Sequence, residues 1–208
     1  MILAHRVNYM NAEIAATTFA SCDGIEFDVR DSHGGLFVTH DAFSMEGQEF
    51  REFVTFLNPT KFYIVNIKCE GIEDVVIETL ENVGIRQFFL LDCSIPSIIR
   101  LGKKGERRIA ARFSEFESIQ TVLCLKPFIT WVWIDTFTCL PLSEQILNFF
   151  SSHELKTCLV SPELQKQPEK ISEYIHQLQK MGKNLDAVCS KSAFHPIWRS
   201  SDLFPCSM

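Results

Sequence analysis

The chain has no run of about 18 uncharged apolar residues, so no membrane span is expected. Positive charge is scarce: 20 lysines and arginines face 26 aspartates and glutamates, for a net charge of −6. That argues against a nucleic-acid binder working through bulk charge, although a few local cations can still set the field of an anion site. The eight cysteines (22, 69, 93, 124, 139, 158, 189 and 206) form no Cys-x-x-Cys pair. Several fall inside apolar runs (Cys139, Cys158, Cys189), and together they read as buried reduced thiols rather than disulfides or zinc ligands. No glycine-rich phosphate fingerprint follows the first apolar run, and no linker or low-complexity tract interrupts the chain. The first strand-like run begins at Ile2 and leaves no room for a leader peptide, so a cytoplasmic location is expected.

What is present is a regular alternation. At 208 residues and 46% apolar composition, the chain is long enough for one well-filled core, and a single domain over 1–208 is expected. Strand-like runs occupy 2–5, 24–29, 62–67, 88–92, 108–113, 131–136, 156–161 and 186–191. Segments of helical periodicity lie between them, at 11–20, 48–57, 72–83, 95–101, 115–123, 142–151 and 168–181, with a short hairpin at 36–39. Eight near-continuous apolar strands alternating with helices predict a parallel sheet, and the count predicts an α/β fold of the (β/α)8 TIM-barrel type. It would be compact, with a small hairpin insertion after strand 2.

In such barrels the chemistry lies at the C-terminal strand ends. Polar residues gather at those ends here: His5-Arg6, Glu26, Asp28, Arg30, Asn66, Lys68, Asp92, Arg112, Asp135, Ser161 and Ser190-Lys191. The densest stretch is GIEFDVRDSHGGLFVTHD, residues 24–41. Glu26 and Asp28 are two apart on a strand and project to the same face. A Gly-Gly turn then returns the chain to His40-Asp41. Paired carboxylates beside a titratable imidazole point to metal-assisted acid–base chemistry. Lys68 reads equally as a phosphate contact or an ion pair with a site carboxylate such as Glu26. His33, His153, His176 and His195 lack such context and read as surface or loop positions. The tryptophans of WVWIDTF read as core.

His5-Arg6 after an apolar strand, then the E-x-D of Glu26 and Asp28, then His40-Asp41 after a hairpin, resembles the glycerophosphodiester phosphodiesterase family and the related phosphoinositide-phospholipase-like barrels. The match is dense over 2–41 and continues through Asn66-Ile67-Lys68. The resemblance implies a metal-dependent phosphodiesterase acting on a small glycerophosphodiester or related soluble phosphodiester. Under it, His5 and His40 become the general acid–base pair, and Arg6 and Lys68 carry positive charge to the phosphate. Glu26 and Asp28 hold a divalent cation, Mg²⁺ or Ca²⁺, since hard oxygen ligands favour those ions. Asn66 stands where the family commonly has a further metal-binding carboxylate. Val7 replaces the glycine usual after His-Arg, and the family's Pro-Glu-Asn-Thr segment is absent. A second reading is a barrel that binds a phosphate ligand or regulates without turnover. Neither the oligomeric state nor the choice between water and a substrate hydroxyl as attacking group is legible in the residues.

Overall fold

Strands that are apolar on both faces need cover on both sides, and helices supply the outer cover. The computed structural model describes residues 1–32, 34–43, 46–182 and 184–204; His33 and Cys206 lie outside the described residues. In chain order the strands and helices are β1 (Ile2–Ala4), α1 (Ala12–Ser21), β2 (Gly24–Ser32), β3 (Gly35–Val38), β4 (Gln48–Glu49), α2 (Phe50–Phe53), β5 (Phe62–Ile67), α3 (Glu73–Asn82), β6 (Phe88–Leu91), α4 (Ile95–Lys103), β7 (Ala110–Phe113), α5 (Ile119–Leu125), β8 (Trp131–Ile134), α6 (Glu144–Ser152), β9 (Lys156–Val160), α7 (Ile171–Lys180), β10 (Ala187–Ser190) and α8 (His195–Arg199).

Eight of the strands run parallel in the spatial order β6-β5-β2-β1-β10-β9-β8-β7 and form a curled sheet. Between β6 and β7 the ladder thins to one parallel bridge, Leu90 with Ile109, where the Leu90 N–H also donates to the Arg108 carbonyl at 2.8 Å. The expected hairpin is β3, antiparallel to β2 and itself paired with the short β4. Several helices start where a short polar side chain accepts from an otherwise unpaired first-turn N–H: Asn11 for α1, Ser94 for α4, Ser118 for α5 and Ser143 for α6.

Strand residues alternate between two cores. Inward-facing side chains such as Leu3, Ile64 and Leu91 pack around an aromatic floor of Phe62, Phe89 and Trp131. The Trp131 centroid lies 5.1 Å from that of Phe62 and 4.9 Å from that of Phe89. Outward-facing residues such as Ile25, Phe27, Val65 and Leu90 pack under the helices. Trp131 and Trp133 are buried, as expected.

Three expectations are corrected. The segment 48–57 is not one helix: it divides into β4, α2 and a 3-10 turn at Val54–Phe56. Buried Gln48 is the reason. Its side chain accepts from the Met10 N–H at 2.8 Å and donates to the Met10 carbonyl at 2.9 Å, and a strand conformation puts it there. Cys139 and Cys124 are exposed, not buried, because they lie outside the strands; Cys22, Cys158 and Cys189 are buried, and all described cysteines are free. His195 is buried rather than superficial. It opens α8, a helix too short to show periodicity, and its Nε2 lies 3.1 Å from the Ser190 carbonyl. In the same helix the Trp198 Nε1–H donates to Ser161 Oγ at 2.7 Å. The Ser161 hydroxyl in turn donates to buried Glu163, which also accepts from Ser190 Oγ at 2.8 Å. This network pins α8 to the ends of β9 and β10.

Gly24 starts β2 hard against the Phe62 backbone. A Cβ there would lie 1.8 Å from the Phe62 carbonyl oxygen. That oxygen is backbone within the sheet and cannot step aside. Gly24→Ala should therefore destabilise the fold by about 3 kcal/mol or more; chemical denaturation curves that coincide with the parent's would contradict this reading of the β2–β5 contact.

Candidate active site at the strand ends

Above the aromatic floor the inward positions turn polar. Register pairs Asp28 with Asn66 and Glu26 with Ile64, so Glu26, Asp28 and Asn66 share the inner face of β2 and β5. All three are buried. A carboxylate in such a place needs partners, and each one has them. Glu26 Oε2 accepts from the Arg6 N–H at 2.7 Å, and its Oε1 accepts from Asn66 Nδ2 at 3.2 Å. Arg6 takes the left-handed conformation, φ 53°, that turns this amide toward Glu26. The positive φ thus falls on Arg6 itself, not on Val7 where the missing glycine directs attention.

Asn8, which the sequence reading passed over, holds Asp28 from two sides. Its Nδ2 donates to Asp28 Oδ2 at 2.8 Å, and its Oδ1 accepts from the Asp28 N–H at 2.9 Å. The only signal for it was its place two residues after His5-Arg6. Lys68 Nζ lies 3.2 Å from Asp28 Oδ1 and 3.5 Å from Asp92 Oδ2, so its ion pair is with these groups and not with Glu26. Arg6 Nε is 3.8 Å from Asp28 Oδ2. The charges continue round the rim: Arg112 pairs with Asp92 at 2.7 Å and with Asp135. The signs alternate along Asp28–Lys68–Asp92–Arg112–Asp135.

The two imidazoles flank this cluster. His5 Nε2 is 3.8 Å from Glu26 Oε2. Burial first, and the neighbouring Arg6 charge second, push the His5 pKa down to about 4, so the ring is neutral at neutral pH. The Thr39 N–H, beside His40, donates to the Asp28 carbonyl at 3.1 Å and so sets the His40 end of the hairpin against β2. His40 Nδ1 lies 2.8 Å from Asp41 Oδ1, and this hydrogen bond holds the Asp41 carboxyl below the usual range. Arg30 steadies the His40 loop by donating to the His40 carbonyl at 3.0 Å. His153 is half-buried and His176 exposed on α7, away from the cluster.

The donor set suits a hard cation. Among the described residues no group of three His, Cys, Asp or Glu side chains forms a metal cluster. Asn66 adds an amide oxygen to the pair, however: its Oδ1 is buried without a hydrogen-bond partner, while Asp28 Oδ1 faces the Lys68 ammonium at 3.2 Å. An unpartnered buried oxygen beside two carboxylates is the chemistry that Mg²⁺ or Ca²⁺ takes up. Glu70 is exposed, and Asp92 is committed to Lys68 and Arg112.

No protein-family model matches the chain, and no curated protein sequence matches it. Solved structures do. A glycerophosphodiester phosphodiesterase from Thermotoga maritima superposes with a TM-score of 0.65 at 17% identity, covering 96% of this chain and 97% of that one. A glycerophosphoryl diester phosphodiesterase from Parabacteroides distasonis gives 0.70 at 14%, covering 100% and 88%. An Oleispira antarctica phosphodiesterase, in complex with the product sn-glycerol-3-phosphate, gives 0.65 at 14%, covering 97% and 96%. The fold is that of the glycerophosphodiester phosphodiesterases. At these identities the likeness is one of fold, and it spans nearly the whole of each chain.

Stability should report the carboxylate pair. Burial first, and the Asp28 charge second, raise the Glu26 pKa from its ordinary 4.5 to about 7. In chelator-containing buffer the folded state then holds a proton that the unfolded state has lost, so this group costs stability as pH rises from about 4.5 to 7. His5 works the other way: its folded pKa of about 4 lies below its ordinary 6.5, so its cost grows as pH falls through that window. Glu26→Gln should remove the first slope and leave the second. The stability of the variant relative to the parent should climb between pH 4.5 and 7 in urea titrations; a constant difference would mean that Glu26 ionises normally.

Proposed function

We propose that the chain is a metal-dependent phosphodiesterase acting on a small glycerophosphodiester or related phosphodiester. The observation that carries this reading is the convergence of His5, His40, Glu26, Asp28 and Lys68 at one end of the sheet, in a fold shared with glycerophosphodiester phosphodiesterases. We take the Leu90–Ile109 bridge as the seam of a closed (β/α)8 barrel whose mouth is this site.

His5, neutral at physiological pH, takes the proton of the attacking hydroxyl or water. His40 returns one to the leaving alkoxide through Nε2, with Nδ1 engaged by Asp41. Arg6 and Lys68 attract and orient the phosphate; Arg6 is half-exposed and free to turn toward it. Glu26, Asp28 and Asn66 would hold Mg²⁺ or Ca²⁺, which supplies Lewis-acid neutralisation of the phosphoryl oxygens. Asn8 keeps Asp28 in place for that duty, and the Arg6 amide keeps Glu26. The intact pair of imidazoles favours catalysis over binding without turnover, for which two opposed acid–base groups have no use.

Assay of the purified protein with glycerophosphocholine and bis(p-nitrophenyl) phosphate, with Mg²⁺, with Ca²⁺ and with EDTA, tests this. Turnover that a chelator abolishes is expected. No turnover under any condition, together with a melting temperature indifferent to metal, would sink the enzyme reading. His40→Ala should lower kcat by about 10²-fold or more without loss of folded structure. Asn66→Asp adds a charged oxygen beside Glu26 and Asp28 and should tighten Mg²⁺ or Ca²⁺ binding by titration calorimetry; an unchanged Kd would remove Asn66 from the ligand set.

A further inference from the structure

The seam between β6 and β7 opens into a cavity. Where the ladder is reduced to the Leu90–Ile109 bridge, a space of about 430 Å³ lies under α4 and α5. Its walls are mainly apolar and include Ile98, Leu125, Phe116 and Thr121; Asp92 and Arg112 also line it. The volume is in the range of small-molecule pockets. Phe116, 73% exposed, extends the apolar surface outward and pairs with Phe137 at 6.1 Å between centroids. An exposed aromatic pair above an apolar pocket is surface that a soluble protein has reason to cover.

What covers it follows from its neighbours. Asp92 belongs both to the cavity wall and to the site, since Lys68 lies 3.5 Å from Asp92 and 3.2 Å from Asp28. A group leaving the phosphate on the Lys68 side therefore passes the Asp92–Arg112 ion pair before it meets apolar walls. We propose that this cavity receives an unbranched alkyl or acyl chain carried by the alcohol of the phosphodiester, so that the preferred substrate is amphipathic. The proposal deepens the phosphodiesterase reading and rests on it for turnover, though not for binding. It also locates the apolar subsite: the short loops contribute only the Phe116–Phe137 lip, and the gap between two strands and two helices contributes the rest.

A series of sn-glycero-3-phospho-n-alkanols from methyl to octyl tests it. With the parent protein, kcat/KM should rise with chain length, by up to about fourfold per methylene, until the cavity is filled. Thr121 is exposed on α5 and outside the catalytic cluster, so Thr121→Trp should fill the cavity without unfolding the chain. It should leave the methyl ester's turnover unchanged and flatten the dependence on length; Phe116→Ser should weaken the dependence in the same sense. A flat dependence in the parent, or a slope unaltered by Thr121→Trp, overturns the proposal. If no diester is hydrolysed, the enzyme reading fails and calorimetry with n-butyl and n-octyl phosphate still decides the cavity. Tighter octyl binding that Thr121→Trp abolishes supports the subsite, and equal binding of the two removes it.

Discussion

Two carboxylates, Glu26 and Asp28, stand side by side on one strand directly above the apolar floor of the curled sheet, and the rest of the site is arranged around their burial. A charge in that position is costly unless it is matched. The match comes from β5 through Lys68 and Asn66, and from the β1–α1 loop through the Arg6 amide and Asn8. Compensation is incomplete: burial and the Asp28 charge raise the Glu26 pKa despite the Asn66 hydrogen bond, and the Asn66 Oδ1 remains without a hydrogen-bond partner.

The same constraint spreads outward. Lys68 is shared between Asp28 and Asp92, Asp92 is shared with Arg112, and Arg112 reaches Asp135. This chain of opposite charges runs along the C-terminal ends of β2, β5, β6, β7 and β8. It crosses the β6–β7 seam, where backbone hydrogen bonding is thinnest, so side-chain ion pairs join the two strands where the ladder does not. Elsewhere along the sheet, Glu163 does comparable work for β9, β10 and α8, with hydroxyl and backbone donors in place of cations.

Much of this was legible in the residues. The eight parallel strands fall within the apolar runs or a few residues of their ends, and the polar strand ends come together at one mouth. Residues that depend on partners distant in sequence were not legible. Asn8 looks like any loop residue until β2 places Asp28 beside it. Gln48 fits a helical pattern until its side chain meets Met10. His195 begins a five-residue helix whose burial depends on Ser190 and Ser161 at two strand ends.

Sequence by itself determined the strand–helix alternation, the inward projection of Glu26 and Asp28, and the presence of two imidazoles near strand ends. These follow from local periodicity, which each segment carries alone. Tertiary structure alone decided which cation serves which carboxylate, that the His5 ring is neutral, and where the apolar cavity opens. Those depend on distances between segments and on the low dielectric produced when strands and helices close over one another, and no single segment encodes either.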